Sequence, residues 1–447
     1  MPTQSQRDEG NEANEAKPNN GVSVGYDNNN NNNNNNSTPS ADNDLPDWIV
    51  KYVTWHNAMR QQYPGNELFT NQTAPKLLIR VCPNSVKCGG LNDRLGQLPW
   101  DLYIANQTGR LFLIWWQSPK LDEFLIPNAI DWSVPPGNEK YLNGGTPRLF
   151  DNMQLEWNMR NPRWDRQVDE AIRQAINGTK KDERILTHRL TSHAKDAFFE
   201  KKLRALGHPE NYDFIGLFGK LFRLFFRPNA RVQEQVDSVS TALGLTPGDF
   251  TVVHLRVRYP VAEGSRVDDN QDYQGLHWSG SHKEMAISQG MHALRCSQTL
   301  LKRPDEKVYL MADSHKVVKF FAFATRAKPA NETASRGSLE AEARQLAKSV
   351  NIVAREAGQE NFHLDRQRGH QVSDYYSSFV DLLLASKARC VAYGQGRYGF
   401  FTAKLAGTTC QLWYQKESDF LLEPGKGHVP FCAQKANNTI EIIYPKA

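Results

Sequence analysis

From residue 76 onward the sequence alternates short apolar runs with longer stretches of helical period, a rhythm that leaves few architectures open. The run Leu77–Cys82, a helical stretch from Gly90 to Ala105 and the run Leu111–Trp116 read as a strand–helix–strand start. Helical periods follow at 163–176, 195–206 and 230–243, and Thr246-Pro247-Gly248-Asp249 supplies a break. The second half repeats the pattern: strand 251–255, helix 282–301, strand 308–311, helix 316–327, then a polar loop around 329–337. Helix 338–348, strand 351–354, helix 374–386, strand 389–393, helix 400–406 and strand 409–413 complete it. Two α/β units on one chain predict two facing Rossmann-like domains, 76–247 and 248–447, with a hinge near 245–250. A ligand crevice is expected between them, at the carboxyl ends of the strands.

With 447 residues, 39% hydrophobic and 23% charged, the chain has ample length for a core and lies near globular averages. Collagen-like, heptad-dominated and disulfide-scaffold classes are excluded. The best apolar run, Leu217 to Phe226, is short and interrupted by Lys220 and Arg223, so no membrane span is expected. Residues 1–47 read as a disordered tail, because they are poor in apolar groups and contain nine consecutive asparagines, Asn28 to Asn36. That tail carries two basic and eight acidic side chains, so the net charge of +5 conceals a body of +11. A basic body suits an anionic ligand, although scattered solvated lysines and arginines give the same count. The start MPTQSQRDEG has no signal-like apolar stretch, which predicts either a protein that is not secreted or an incomplete chain. Six cysteines, Cys82, Cys88, Cys296, Cys390, Cys410 and Cys432, permit pairing without specifying it. Sequons at Asn36, Asn71, Asn106, Asn177, Asn331 and Asn437 lend weak support to a lumenal compartment.

Four motifs carry candidate chemistry. Cys88-Gly89-Gly90-Leu91-Asn92-Asp93-Arg94-Leu95 reads as a strand-to-helix turn whose helix start favours negative charge, with Arg94 able to point into an anion site. It also reads as an ordinary turn capped by Asn92 or Asp93. In Val252-Val253-His254-Leu255-Arg256-Val257-Arg258 an apolar strand ends in charge, and alternation puts His254, Arg256 and Arg258 on one face. A guanidinium there can grip a diphosphate and offset the charge of its departure; pairing with Glu263, Asp268 or Asp269 is the plainer reading. Tyr309-Leu310-Met311-Ala312-Asp313-Ser314 ends a third strand in an acid that could bind a base or ribose, or cap the next helix. Finally Gly394-Gln395-Gly396-Arg397-Tyr398-Gly399 has the Gly-x-Gly-x-x-Gly spacing, with Glu417 and Asp419 about 20 residues on, as a dinucleotide fingerprint asks. Only 48 residues remain after Gly399, too few for the rest of such a domain, so a phosphate cradle in the last βα unit is the competing reading. The Asp-x-Asp at Asp42-Asn43-Asp44 lies in the tail, no zinc spacing occurs, and neither Gly-x-Ser-x-Gly nor a Walker sequence is present.

Over about residues 76 to 415, the order of these motifs resembles the fucosyltransferase superfamily of α-1,6-fucosyltransferases, protein O-fucosyltransferases and the nodulation fucosyltransferase. Ser377-Ser378-Phe379-Val380-Asp381-Leu382-Leu383-Leu384 is similar to the family helix that leads to the last turn. The resemblance implies a GT-B architecture and inverting transfer without a metal or cofactor, from GDP-fucose to a glycan or glycoprotein acceptor. It implies that Arg256 promotes departure of the diphosphate, with His254, Arg258, Asp313 and Asp381 at the donor. Gly89, Gly90, Asn92 and Arg94 are implied contributors from the first domain. Where the family often has serines in its last turn, this chain has Gly394-Gln395-Gly396-Arg397, so backbone amides and Arg397 are expected to substitute. Glu263 is the expected general base. A Golgi or other secretory lumen is implied, with the cytoplasm as the alternative, and nucleic acid is not an expected partner. The other functional readings are a nicotinamide-dinucleotide oxidoreductase using the 394–399 turn, and a non-catalytic glycan-binding relative.

Overall fold

A computed structural model describes residues 45–84, 88–142, 146–150, 164–189, 201, 204, 214–257, 280–323, 338–356, 361, 364, 371–394, 396–408, 410–414, 432–436 and 439–443. The tail at 1–44, Arg258, Glu263 and most of the helix expected over 195–206 lie outside them.

Helices α1 (Asp47–Gln62) and α2 (Glu67–Thr70) precede strand β1 (Leu77–Cys82), after which come α3 (Leu91–Leu95), α4 (Leu98–Gln107) and β2 (Leu111–Trp116). The helix expected from Gly90 to Ala105 is therefore two helices. Pro99 sits in the first turn of α4, where its missing N–H costs nothing, but continuing α3 through it would set its ring against the carbonyl of Leu95. Short strand β3 (Leu125–Pro127), α5 (Trp164–Asn177) and β4 (Ile185–His188) follow, then α6 (Phe214–Phe225), β5 (Phe226–Pro228) and α7 (Ala230–Leu243).

The second half comprises β6 (Phe250–Leu255), α8 (Gly280–Gln298), β7 (Lys307–Ala312), α9 (His315–Val318), α10 (Leu339–Ser349) and β8 (Ile352–Val353). It ends with α11 (Tyr376–Ala385), β9 (Cys390–Tyr393), α12 (Arg397–Ala406), β10 (Gln411–Tyr414) and the strands β11 (Cys432–Ala436) and β12 (Thr439–Ile443). Past α9 the helix expected over 316–327 continues as a π-helical turn, Lys319–Phe323. The stretch expected over 374–386 opens as a 3-10 turn at Val372–Tyr375, with Asp374 accepting from the Gln371 N–H.

These strands form separate sheets. The first has the order β2-β1-β4 and is parallel, with Leu77 opposite Leu111 on one side and Ile185 on the other. The second runs β12-β11-β10-β9-β6-β7-β8, parallel from β10 through β8 with an antiparallel hairpin at the far edge. A small antiparallel pair joins β3 to β5. Strands buried on both faces are near-continuous apolar runs, which is why Leu77–Cys82 and Leu111–Trp116 declare themselves in the sequence.

Alternation along β6 divides the second core. Phe250 and Val252 face the same side as Tyr309, Met311, Phe379 and Phe401, whereas Val253 and Leu255 face Ile287, Leu294 and Ala343. The apolar run in α6 is spent on the first of these layers. Phe218 meets Phe401 edge-on at 5.6 Å, and a side chain on Gly219 would come within 2.6 Å of the Leu405 carbonyl. Helix α7 packs on α11. Just upstream of β3, Phe124 stacks on Phe379 of α11 at 4.1 Å with the ring planes 4° apart, and both rings are fully buried. The six cysteines form three disulfides: Cys82–Cys88, Cys296–Cys432 from α8 to β11, and Cys390–Cys410 beside β9 and β10.

Because this stack joins a segment before residue 130 to the layer covering the second sheet, Phe124→Ala should lower the unfolding free energy by about 3–5 kcal/mol in equilibrium urea denaturation. A loss below about 1 kcal/mol, the scale of an average substitution, would contradict that role.

Candidate functional site

Numbered within the second sheet, β8-β7-β6-β9-β10 is the doubly wound order 3-2-1-4-5. Its switch point lies between β6 and β9, where the chain leaving β6 heads for one face and the chain leaving β9 for the other, so the carboxyl ends open a crevice. Residues 252–258 and 394–399 were singled out in the sequence for different reasons; topology puts their described parts side by side, with His254 paired to Tyr393.

Contact between them is close. Gly396 has φ +92°, and a Cβ there would lie 2.5 Å from both Cδ and Nη1 of Arg256, so this position admits only glycine. A Cβ on Gly399 would lie 2.8 Å from Nδ1 of His254 and 2.5 Å from Cβ of Tyr393, which is how the first turn of α12 settles onto the strand. The amino terminus of α12 thus ends beside the Arg256 guanidinium, with Gly394 buried and Arg397 exposed at the turn. Unsatisfied amides of a helix start and an arginine together favour an anion, above all a phosphate.

His254 is buried against the Tyr398 ring, 5.3 Å between centroids. Burial, reinforced by Arg256 and opposed by Asp381, pushes its pKa down to about 3. The imidazole is therefore neutral at physiological pH. The Tyr398 hydroxyl donates to the Ser378 carbonyl of α11.

Asp313 follows β7, and its Oδ1 accepts the Val257 N–H at 2.8 Å while its own N–H donates to the Leu255 carbonyl at 3.3 Å. It clips the ends of β6 and β7 together. Asp381 lies within α11 and is buried. Oδ1 accepts from the Tyr309 hydroxyl at 2.6 Å and from Nε of Arg355 at 3.1 Å; Oδ2 accepts from Nδ2 of Asn361 at 2.6 Å and from Nη2 of Arg355 at 3.4 Å. Burial and the neighbouring Asp381 charge raise the Tyr309 pKa well above its ordinary value. For Arg355 burial works against the charge, but the Asp381 carboxylate outweighs it and the pKa is raised. Arg355 escaped the sequence reading although its signal was the same as that of Arg256, an arginine just beyond an apolar strand.

The first sheet, of order 2-1-3, has its own switch point between β1 and β4. Beyond β1, the Cys82–Cys88 disulfide closes the loop that enters the glycine turn. Gly89 has φ +81° and its Cβ position is occupied by the Asp93 side chain, whose Oδ2 accepts the Gly90 N–H at 2.9 Å. Asp93 is therefore the cap. Arg94 is buried, donates from Nε to the Gly89 carbonyl at 3.1 Å and lies 4.8 Å over the Trp116 ring. Asn92 is also buried, its Nδ2 without a hydrogen-bond partner among the described residues. Below the turn, Arg80 forms a buried pair with Asp101 at 2.6 Å and donates to the Asp93 carbonyl at 3.0 Å, anchoring α3 from beneath. Helix α3 packs against α12, so the two glycine turns belong to neighbouring helices.

Among the described residues His292, Cys296 and Cys432 bring metal-ligand atoms together, and the disulfide occupies both sulfurs. Arg258 and Glu263 fall outside the described residues.

The depressed pKa of His254 has a defined consequence. In the unfolded chain an imidazole protonates near 6.5, so the stability it contributes is present above that pH and is lost as pH falls toward the folded value of about 3. His254→Asn should lose less stability than the parent when the pH is taken from about 7 to about 4. Parallel curves of denaturation midpoint against pH would contradict the assignment.

No family model and no curated protein matches the chain. Solved structures do. NodZ from Bradyrhizobium is 13% identical, with 84% of this chain and 100% of that one covered and a TM-score of 0.43. A mutant of Arabidopsis thaliana FUT1 in complex with GDP is 12% identical, with 87% and 83% covered and a TM-score of 0.49. POFUT1 in complex with GDP-fucose is 12% identical, with 76% and 95% covered and a TM-score of 0.35. NodZ is a fucosyltransferase, and these three are structures to which the chain is similar.

Proposed function

We propose that the chain is a glycosyltransferase that takes its sugar from a guanosine diphosphate donor, GDP-fucose in the first instance, and passes it to a glycan or glycoprotein hydroxyl. The observation that carries this reading is the seating of Arg256 against Gly396 at the switch point, beside the start of α12. A guanidinium beside a helix start suits a diphosphate leaving group. In the proposed step the acceptor oxygen bonds to the anomeric carbon, the bond from that carbon to the β-phosphate oxygen breaks, and the electron pair leaves with the diphosphate. Arg256 offsets the charge that grows on the departing oxygen. The acceptor proton passes to a carboxylate, for which Glu263 is our candidate. Transfer with inversion and without a metal, and a GT-B division into 76–247 and 248–447, belong to the same reading. Three disulfides among the described residues support an oxidising secretory lumen as the site of action.

The oxidoreductase reading is less well supported. A dinucleotide fingerprint follows the first strand of its sheet, whereas this Gly-x-Gly-x-x-Gly follows the fourth.

Incubation with radiolabelled GDP-fucose and a panel of glycan acceptors tests the reaction. Arg256→Ala should cut transfer by about 10²- to 10³-fold with an unchanged melting temperature. Arg256→Lys should recover little, since a point charge lacks the planar fork. Turnover of Arg256→Ala at the parent rate would remove Arg256 from the mechanism, and reduction of a nicotinamide cofactor would replace the proposal altogether.

A further inference from the structure

We infer that His292, Cys296 and Cys432 form a zinc site once the Cys296–Cys432 bond is reduced, so that α8 stays tied to β11 in either redox state. The inference is independent of the donor reading above.

Three observations carry it. First, His292 and Cys296 are four residues apart in α8 and share one face of the helix, with the Cys296 sulfur 3.8 Å from Nε2 and 3.9 Å from Nδ1 of His292. A sulfur and a nitrogen on one tetrahedral zinc are about 3.6 Å apart, given bonds of about 2.3 Å and about 2.0–2.1 Å. Those two ligands are already in place. Second, β11 brings the Cys432 sulfur from 136 residues away, and the ligand atoms of all three side chains lie within 4.8 Å of one another. Freed of their bond, the two sulfurs need only part to about 3.8 Å, the separation a tetrahedral zinc imposes. Third, both cysteines are fully buried whereas His292 is half-buried, so the imidazole edge is where water can complete the tetrahedron. The cysteines pack in the layer of Val253 and Leu255, opposite α12, so the metal ties the fold together and stands apart from Arg256. The sequence shows no zinc spacing because the third ligand comes from a distant strand.

The chemistry balances with a reductant. A cellular dithiol gives the disulfide two electrons and two protons and closes its own disulfide. A phosphine does the same in vitro, becoming the phosphine oxide with oxygen from water, whose two hydrogens go to the sulfurs. Zinc(II) then displaces both thiol protons and binds the thiolates without any change in oxidation state.

Alkylation of the phosphine-reduced full chain by iodoacetamide, followed peptide by peptide with and without zinc(II), tests this. At zinc a hundredfold above its dissociation constant, Cys296 and Cys432 should alkylate about 100-fold more slowly, while Cys82, Cys88, Cys390 and Cys410 keep their metal-free rates. The same zinc should raise the melting temperature of the reduced chain by about 3 °C and leave that of the oxidised chain unchanged. His292→Ala should lose most of the protection while melting like the parent in its oxidised form; should that variant not fold, the alkylation pattern of the parent chain decides alone. Protection spread over all six cysteines, or no protection, would overturn the inference, as would undiminished protection in His292→Ala. None of these results touches the donor reading.

Discussion

The pairing of β6 with β9 is the constraint on which the candidate site depends. Helix α8, which follows β6, packs in the layer containing Val253 and Leu255. Helix α12, which follows β9, packs in the opposite layer with Phe250 and Val252. Adjacent parallel strands whose following helices leave for opposite faces cannot close over their own carboxyl ends. Into that gap the sequence places Arg256, and the absence of a side chain at Gly396 lets it lie against the turn. The polar chemistry is thus a consequence of strand order before it is a consequence of residue type.

Around this opening, packing ties distant parts of the chain together. Helices α6 and α7, which precede the second sheet in sequence, cover its inner face by packing on α12 and α11. The Phe124–Phe379 stack and the Arg231 guanidinium 5.1 Å over the Tyr376 ring draw segments from before residue 245 onto α11. Helix α11 in turn carries Asp381, so packing between distant parts of the chain sets the position of the Arg355 guanidinium. On the first sheet, Arg80, Asp101 and the Cys82–Cys88 disulfide hold the other glycine turn from below and from upstream.

Much of the fold was legible because strands buried on both faces have to be apolar along their whole length. Leu77–Cys82 and Leu111–Trp116 are found at the residues where the sequence puts them, and α7 spans the expected 230–243. Hidden features depend on partners that a linear reading does not supply. The apolar run at 217–226 shows its role only once Phe401 is beside it. The same holds for the disulfides, since six cysteines allow 15 pairings. The hairpin β11–β12 was overlooked although two residues, Asn437 and Asn438, separate its strands. Within the site, alternation put His254 and Arg256 on one face, and topology gives that face its partner. The Asp93 cap was one of the readings open for the first turn; the full occupancy of Asp381 was not foreseen, because it is created by Tyr309, Arg355 and Asn361 from three separate segments.

Hydrogen–deuterium exchange of the full chain with and without GDP addresses the central claim, that a nucleoside diphosphate sits at the β6–β9 switch point. GDP should slow exchange in peptides covering residues 250–257 and 393–400, which hold the end of β6 and the start of α12, and leave peptides from α8 unchanged. Protection confined to other segments, or none at saturating GDP, would contradict the account.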